Sequence, residues 1–483
     1  MLKKLVSVLL IMVMLFSLAA CGGGSSNEFT DDESKEVELT YFYPGGLETA
    51  NEERINEKLS EYVKDKINAK VKFHRFDWNA YQQKISTMAA SGEAFDIVFT
   101  TSWCLPYIQN AQKGVFLELD DLLKDYGKDI LSALDPDFLA ASKVDGIQYT
   151  IPVKKETAHS VGFLFREDLV NKYGIDVSSI KTLEDVENAL KIAKEKDPDL
   201  YPLQVGKEGL TSLLDFSYVT GSNTTPGALY AENNDNKIFN QYASKEYMEL
   251  AKTVRRFYEN KYIRPDAATS GTGSTDVAFA QVAMLKPGKD KESYDSSRGY
   301  SYIQADLTKP MMVTGDATGA MAAISATCKN PVRAMKLLNL LYSDKDLLNL
   351  LYYGEEGVDY TLDEEDRVVK KAGMYSASGW MFGNQMIAKL TNLEDPSKWE
   401  KIEKFNDEAI VHDSVGFSFD QTNVSTEIAT CANVVAEYQA IVGTGVQDPE
   451  ETIPAFLEKL ETAGAQKIID EAQKQYDEFL KTK

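Results

Sequence analysis

The first 20 residues constrain the fate of this chain most, because they have the layout of an export signal. Lys3 and Lys4 form a short basic start, and an apolar run from Leu5 to Phe16 follows them. This run is shorter than the roughly 20 apolar residues that a membrane-spanning helix needs. Small residues then precede position 21. This order predicts a signal peptide over residues 1–20, so the remainder of the chain is expected outside the cytoplasm.

A cysteine follows these small residues directly. The stretch from Leu18 to Cys21 resembles the lipobox of bacterial lipoproteins. The resemblance implies cleavage before Cys21 and attachment of lipid, such as palmitate, to its sulfur and its new amine. An ordinary signal peptide with an incidental cysteine is the alternative. Residues 21–36 are small, polar and acidic, so they are predicted to form a flexible tether between the lipid and the folded body.

The charge of the chain excludes one large class of function. Its 483 residues include 52 Lys and Arg against 75 Asp and Glu, which gives a formal net charge of -23. A surface of this charge repels nucleic acid and anionic lipid, so no nucleic-acid partner is expected. The three histidines, His74, His159 and His412, lack the spacing of a metal motif. We therefore expect neither a metal site nor a cofactor.

Three cysteines remain beyond Cys21. Cys104, Cys328 and Cys431 are far apart in sequence. Their spacing fits neither a disulfide scaffold nor a metal site of the CxxC kind. Buried free thiols are one interpretation, and one disulfide beside one free thiol is the other.

The folded part of the chain opens with alternating strands and helices. Residues 37–43, 69–76 and 96–100 have the apolar, β-branched and aromatic content of strands. Residues 51–68 and 79–91, which lie between them, have helical spacing of apolar residues. A β-α-β-α-β order predicts an α/β fold with a parallel or mixed sheet flanked by helices.

The later chain continues with both kinds of element. Strands are predicted at 146–152 and 160–166, and a helix is predicted at 183–196. Pro331 opens a further helix at a position in the first turn, where proline is tolerated. From Val424 onward the chain is predicted to be mostly helical.

Five segments carry a resemblance to a known family. They comprise a helix end followed by a buried strand, a turn and strand, a helix start and two glycine-rich segments, at Ala90–Thr100, Gly146–Pro152, Lys329–Met335, Gly354–Tyr360 and Gly416–Asp420. In this order they resemble the extracellular solute-binding lipoproteins of bacterial ABC importers, in the group that takes up oligosaccharides.

The resemblance implies a two-lobed, periplasmic-binding-protein-like α/β fold of type II. Hinge strands join the lobes in such a fold, and the ligand is held in the cleft between them. Because the chain crosses more than once, each lobe is discontinuous. Lobe 1 is expected to comprise 37–152 and about 312–375, and lobe 2 to comprise 153–311 and about 376–483.

The implied function is capture of an oligosaccharide at the extracellular face of the cell membrane and its delivery to an ABC transporter permease. The protein is expected to be a lipid-anchored monomer that catalyses no reaction. One alternative is the same fold binding a peptide or another small polar solute. An alternative from a different class is a surface glycoside hydrolase, although no motif singles out a carboxylate pair.

Six residues are candidates for ligand binding: Tyr43, Trp78, Trp103, Glu156, Trp380 and Asn384. An aromatic ring stacks on the C–H face of a sugar, and polar side chains hydrogen-bond its hydroxyls. Trp103 follows a predicted strand, on the side of an open sheet where α/β folds bind ligands. The alternatives are core or rim packing for Tyr43, a core or hinge role for Trp103 and a solvated charge run for Glu156. The fourth tryptophan, Trp399, is expected to pack on the surface.

Overall fold

The computed structural model describes residues 29–45, 50–232, 235–270, 278–293 and 298–481. The predicted signal peptide and Cys21 lie outside these residues. The strands are β1 Val37–Pro44, β2 Ala69–Phe76, β3 Ile97–Thr100, β4 Thr150–Pro152, β5 Ser160–Arg166, β6 Leu203–Gln204, β7 Phe216–Tyr218, β8 Ala228–Tyr230, β9 Ala280–Leu285, β10 Tyr302–Asp306, β11 Met311–Met312, β12 Met321–Ile324, β13 Tyr360–Leu362, β14 Val368–Lys370 and β15 Ile410–Val411.

The helices lie between and after these strands. They are α1 Ala50–Ile67, α2 Trp78–Ser91, α3 Tyr107–Gln112, α4 Asp120–Tyr126, α5 Lys128–Ala133, α6 Pro136–Ala140, α7 Glu167–Tyr173, α8 Leu183–Lys196, α9 Lys245–Glu259, α10 Ala267–Ser270, α11 Lys289–Glu292, α12 Thr314–Ala317, α13 Pro331–Ser343, α14 Lys345–Tyr353, α15 Lys398–Asp407, α16 Ser425–Gly443, α17 Pro449–Thr462 and α18 Ala465–Phe479. No described helix is both long and apolar enough to cross a membrane.

Local signals in the sequence account for where several helices begin and end. The side chain of Asp77 accepts a hydrogen bond from the backbone N–H of Asn79, so α2 begins at Trp78, one residue before the predicted start. Gly92 ends this helix in the left-handed conformation, with a φ of 70°. Pro331 occupies the first turn of α13, as predicted.

The first sheet has the strand order β2-β1-β3-β12-β4. Strand β1 pairs in parallel with β2 and with β3, while β12 runs antiparallel to β3 and β4. The predicted β-α-β-α-β opening is therefore confirmed, and the sheet is mixed. The carboxyl ends of β1, β2 and β3 lie at one edge, where ligands of open α/β sheets bind.

The second sheet has the order β10-β5-β9-β6. Its central strand, β5, pairs antiparallel with β10 and with β9, and β6 adds to β9 in parallel. Nearly all of β5 is buried, because helices and neighbouring strands cover both of its faces. This sheet is the centre of a second body of the molecule.

Buried apolar side chains separate into cores around the two sheets. The core around the first sheet draws on residues 39–158 and 312–388. The second body contains two main cores, from residues 163–305 and 219–476. We call the body around the first sheet lobe 1 and the other body lobe 2. The chain thus enters lobe 1, leaves it, and returns to it.

The chain crosses between the lobes three times, and we call these crossing segments passages. They lie side by side, near His159, at β11 and at β15. His159 and Met311 exchange backbone hydrogen bonds of 2.9 and 2.8 Å, and β11 pairs in parallel with β15. The lobe boundaries expected from the sequence put the third passage near residue 375. The structure packs Phe382 and Ala388 into the core of lobe 1, so this passage comes later, near β15.

Residues 31–36, assigned to the tether by composition, lie against lobe 1. Arg333, which is 1% exposed, donates to Asp31 Oδ2 at 2.6 Å and to the backbone oxygens of Asp32 and Ile67 at 2.9 and 2.7 Å. Acidic composition indicated disorder here. A buried cation, far away in sequence, supplies the partner that orders the segment.

The cysteines beyond position 21 are free thiols. Cys104 and Cys431 are buried and Cys328 is half-buried, and no disulfide joins them. Of the two interpretations, the structure therefore supports free thiols.

Candidate ligand-binding site

Two adjoining cavities lie between the lobes. We call the larger, of about 1070 Å³, the tryptophan compartment, because Trp103, Trp380 and Trp399 line it. We call the other, of about 770 Å³, the second compartment. Pockets for small molecules usually occupy about 300–1,000 Å³, so each cavity is large enough for a ligand.

Three tryptophans predicted from the sequence form a cluster on lobe 1. Trp103 and Trp380 line the tryptophan compartment, and Trp78 packs against both without lining either compartment. The ring centroids of Trp78 and Trp103 are 5.8 Å apart, and Trp380 lies 6.3 Å from each of them. Trp78 and Trp380 are nearly parallel, with an interplanar angle of 7°. Residues separated by up to about 300 positions in sequence therefore form one aromatic cluster.

The strand order of the first sheet positions this cluster. Trp78 follows β2 and Trp103 follows β3, and both strands end at the same edge of the sheet. Trp103 Nε1 donates to the backbone oxygen of Gly319 at 3.2 Å, which fixes the ring. Trp78 remains 40% exposed and Trp103 56% exposed. Open aromatic rings held in place offer a stacking surface at little entropic cost.

Trp399 also lines the cleft, where surface packing was expected. It is half-buried, and the ammonium group of Lys398 lies 4.6 Å from its ring centroid. Its Nε1 atom is buried without a hydrogen-bond partner. The neighbouring charged and proline residues gave no sign of this position, because α15 reaches the cleft only through the tertiary fold.

Glu156 lies in the wall of the tryptophan compartment, where two lysines engage its carboxylate. Lys155 contacts one oxygen at 3.0 Å and Lys286 contacts the other at 2.9 Å. Burial alone would raise the pKa of this carboxyl, but the two ammonium groups outweigh burial and hold the pKa at about 2. Glu156 therefore belongs to a buried group of ion pairs and not to a solvated run of charges. Direct ligand contact by Glu156 remains a prediction.

These ion pairs continue across the cleft. Lys286 lies 3.2 Å from Glu292 at the end of α11, and Lys398 lies 2.9 Å from Glu292 and 2.6 Å from Glu394. Phe405, at the far end of α15, packs against the core of lobe 1. The ion pairs therefore connect lobe 2 to a segment that rests on lobe 1.

Tyr43 and Asn384 lie away from both compartments. Tyr43 is 1% exposed, and its ring packs edge-on against Phe382 with centroids 4.9 Å apart. Asn384 Oδ1 accepts from the backbone N–H of Met386 at 3.1 Å and caps a short turn. Tyr43 is buried in the core of lobe 1, and the Asn384 amide bonds to its own backbone. Neither observation supports ligand contact by these two residues, which stays a prediction.

His159 lies on the boundary between the two compartments and lines both. Its Nδ1 is 2.8 Å from Asp316 Oδ1. Burial opposes the charged imidazole, yet the adjacent Asp316 carboxylate outweighs burial and raises the pKa of His159. The sequence offered no signal for this pair, because His159 and Asp316 lie 157 residues apart, close to two different passages.

Within the described part of the chain, no cluster of His, Cys, Asp and Glu could hold a metal ion. The polar groups of the cleft are instead arranged as ion pairs and as single hydrogen-bonding side chains. Such a cleft can bind and orient a polar solute.

Two α/β lobes, joined by three passages of chain around an aromatic cleft, define a protein that holds a solute between hinged bodies. The chain belongs to the family of bacterial extracellular solute-binding proteins, whose model matches residues 47–347. A model for a domain of unknown function, DUF3502, matches residues 413–481. These matches confirm the family resemblance that the sequence segments carry.

Two similar proteins come from Streptococcus pneumoniae. It is 33% identical to a carbohydrate ABC transporter substrate-binding protein of serotype 4, over 98% of this chain and 97% of the relative. It is also 33% identical to the crystal structure of the N-glycan transport solute-binding protein NgtS, with a TM-score of 0.83 over 92% of this chain and 99% of that one.

NgtS has also been solved with two glycans. The TM-score of this chain is 0.77 with the Man1GlcNAc complex and 0.74 with the Man5GlcNAc complex, at 33% and 34% identity. These matches cover 92% and 93% of this chain and 100% and 99% of the solved chains. The fold is therefore that of type II solute-binding proteins, as predicted. The family and these relatives are binding proteins rather than enzymes.

Proposed function

We propose that this protein captures an oligosaccharide outside the cell and delivers it to the permease of an ABC transporter. One observation carries the proposal: three tryptophans from separate parts of the chain form one cluster, Trp103 and Trp380 of this cluster line the cleft, and Trp103 is 56% exposed. Soluble proteins rarely leave a patch of large aromatic rings open unless it serves binding. A sugar ring has the flat C–H face that such a patch accommodates.

The polar surroundings of the cluster support a sugar rather than an apolar solute. Lysine and glutamate side chains line the tryptophan compartment together with Gln385 and Asn392. Hydrogen bonds from such groups fix the orientation of a ligand whose rings are stacked. The mannose- and N-acetylglucosamine-containing glycans bound by NgtS are the first ligands to test with this chain.

The anchor is part of the same proposal. Cleavage before Cys21 and lipidation of this residue hold the protein at the extracellular face of the membrane, as a monomer close to its permease. Cys21→Ala is expected to abolish acylation, and the variant is expected in the soluble fraction or as an uncleaved precursor. Acylation of the variant at the wild-type level would contradict the proposed anchor.

A binding screen tests the function. The purified protein is mixed with Man1GlcNAc, Man5GlcNAc, a wider glycan panel and a set of short peptides, and its melting temperature is measured. Because a ligand that binds only the folded state raises the melting temperature, an oligosaccharide is expected to give the largest increase. An increase only with peptides, or with none of the solutes, would contradict the proposal.

The same mixtures separate binding from catalysis. After long incubation each glycan is expected to be recovered intact, because the protein holds its ligand without a reaction. Released monosaccharides, at a rate proportional to the protein concentration, would instead indicate a glycoside hydrolase.

A further inference from the structure

The second compartment extends the cleft beyond the tryptophans, and both lobes form its walls. Lobe 1 contributes residues 106–109, and lobe 2 contributes segments within 214–223 and 417–421. The tryptophan compartment alone, at about 1070 Å³, already exceeds the usual volume of a small-molecule site. The additional 770 Å³ is therefore space that a small solute would leave unused.

Several polar side chains in this second compartment have no hydrogen-bond partner among the described residues. The half-buried ones are Tyr218, Asn223, Gln281 and Ser418. These side chains line the open cavity, so their polar atoms remain available to a ligand that enters it. Burial raises the pKa of Tyr218 to about 12, with a smaller contribution from Glu208, so its hydroxyl remains a donor at neutral pH. The wall thus presents separate donors and acceptors, as hydroxyl-rich ligands require.

The two compartments adjoin at a shared boundary. The residues that line both are Ser102, His159, Met284, Val313 and Gly315. A ligand that reaches this boundary in one compartment therefore contacts residues that also line the other. Stacking surfaces lie on one side of the boundary and free hydrogen-bonding groups lie on the other.

We propose that the ligand is an oligosaccharide of several units that occupies both compartments at once. One end stacks on the tryptophan cluster, and the chain or a branch passes the His159 boundary and hydrogen-bonds Tyr218 and Asn223. This inference rests on the proposed function, which it makes more specific: the second compartment selects for ligand size. A disaccharide then fills the tryptophan compartment alone.

Calorimetric titrations with a small and a large glycan test this selection. Man1GlcNAc and Man5GlcNAc are titrated into the wild type, Tyr218→Phe, Asn223→Ala and Trp103→Ala. Loss of one hydrogen bond corresponds to roughly 3- to 10-fold in dissociation constant. Tyr218→Phe and Asn223→Ala should therefore weaken Man5GlcNAc by about that factor and Man1GlcNAc by less than about 2-fold. Trp103→Ala should weaken both. Tyr258→Phe is the matched control, since this half-buried tyrosine lines neither compartment.

Two results would overturn the two-compartment inference while leaving the proposed function intact. Man5GlcNAc affinity that Tyr218→Phe and Asn223→Ala leave unchanged would confine the ligand to the tryptophan compartment. Equal losses for both glycans would place even the small one in the second compartment. A wild-type protein that binds no glycan of the panel would overturn the proposed function itself, and this inference with it.

Discussion

At the scale of single residues, the cleft depends on charges that are buried in pairs. Glu156 accepts from Lys155 and Lys286, whose ammonium groups would otherwise face one another in the wall of the cavity. Removing one partner of a buried ion pair leaves an uncompensated charge and costs about 3–5 kcal/mol. Glu156 thus maintains the shape and charge of the cleft wall, whether or not it touches the ligand.

Glu156→Gln is therefore expected to lower the free energy of unfolding at pH 7 by about 3–5 kcal/mol. The folded pKa of Glu156 is held at about 2, below its value of about 4.3 in the unfolded chain. The carboxylate therefore contributes stability above about pH 4, and this contribution is lost as the pH falls toward 2. Urea unfolding of wild type and variant at several pH values measures the difference. A gap that stays constant from pH 7 to pH 3 would contradict this reasoning.

At the scale of elements, the N-terminal segment and helix α13 are held together by one buried cation. Arg333 on α13 contacts Asp31, Asp32 and Ile67. Lys336, one turn further on, contacts Asp31 at 3.2 Å but is more exposed. The described part of the predicted tether, from Asp31 onward, is therefore attached to lobe 1.

Arg333→Met is expected to release residues 31–36 and to destabilise lobe 1 by about 3–5 kcal/mol, because Asp31 loses its buried partner. Native-state hydrogen exchange should show lost protection at Lys35 and Val37, whose backbone N–H groups are bonded in the wild type. Lys336→Met is the matched control and should cost no more than about 1 kcal/mol. Similar effects of both substitutions would show that Arg333 has no special role.

The sequence predicts much of these elements, because their signals are local. Alternating strands and helices, the stop at Gly92 and the start at Pro331 all come from neighbouring residues. Trp78 and Trp103 lie at the sheet edge where the sequence places them, since each follows a strand of the same sheet. Their contact with the ligand stays a prediction.

The remaining parts of the site could not be predicted, because they depend on residues that are far apart. The lysine partners of Glu156 include Lys286, and Trp399 enters the cleft on a helix that no local pattern connects to it. The second compartment is lined by short segments from both lobes. The burial of Tyr43 and Asn384 away from both compartments had no local signal either.

At the scale of the whole molecule, the lobes are joined by three neighbouring passages that allow hinge motion. Backbone pairing between His159 and Met311 and between β11 and β15 connects these passages. Domain closure around a ligand bends the chain at a few positions of this kind.

Ligand should therefore make the protein more compact, because a sugar that contacts both lobes favours the closed state. Small-angle scattering with and without a saturating oligosaccharide measures the radius of gyration. We expect a smaller radius with ligand. An equal radius in both samples would argue against closure around the ligand.

The most direct test of the account is a pair of measurements on Trp103→Ala with the tightest-binding oligosaccharide. Losing one aromatic contact in a binding site costs roughly 1–3 kcal/mol, or about 5- to 150-fold in dissociation constant. Truncation of a core tryptophan would instead cost about 3–5 kcal/mol of stability. Leu131→Ala is the control, because this exposed apolar residue lines neither compartment. We expect Trp103→Ala to lose calorimetric affinity at a nearly constant melting temperature. A large fall in melting temperature with affinity retained would contradict it.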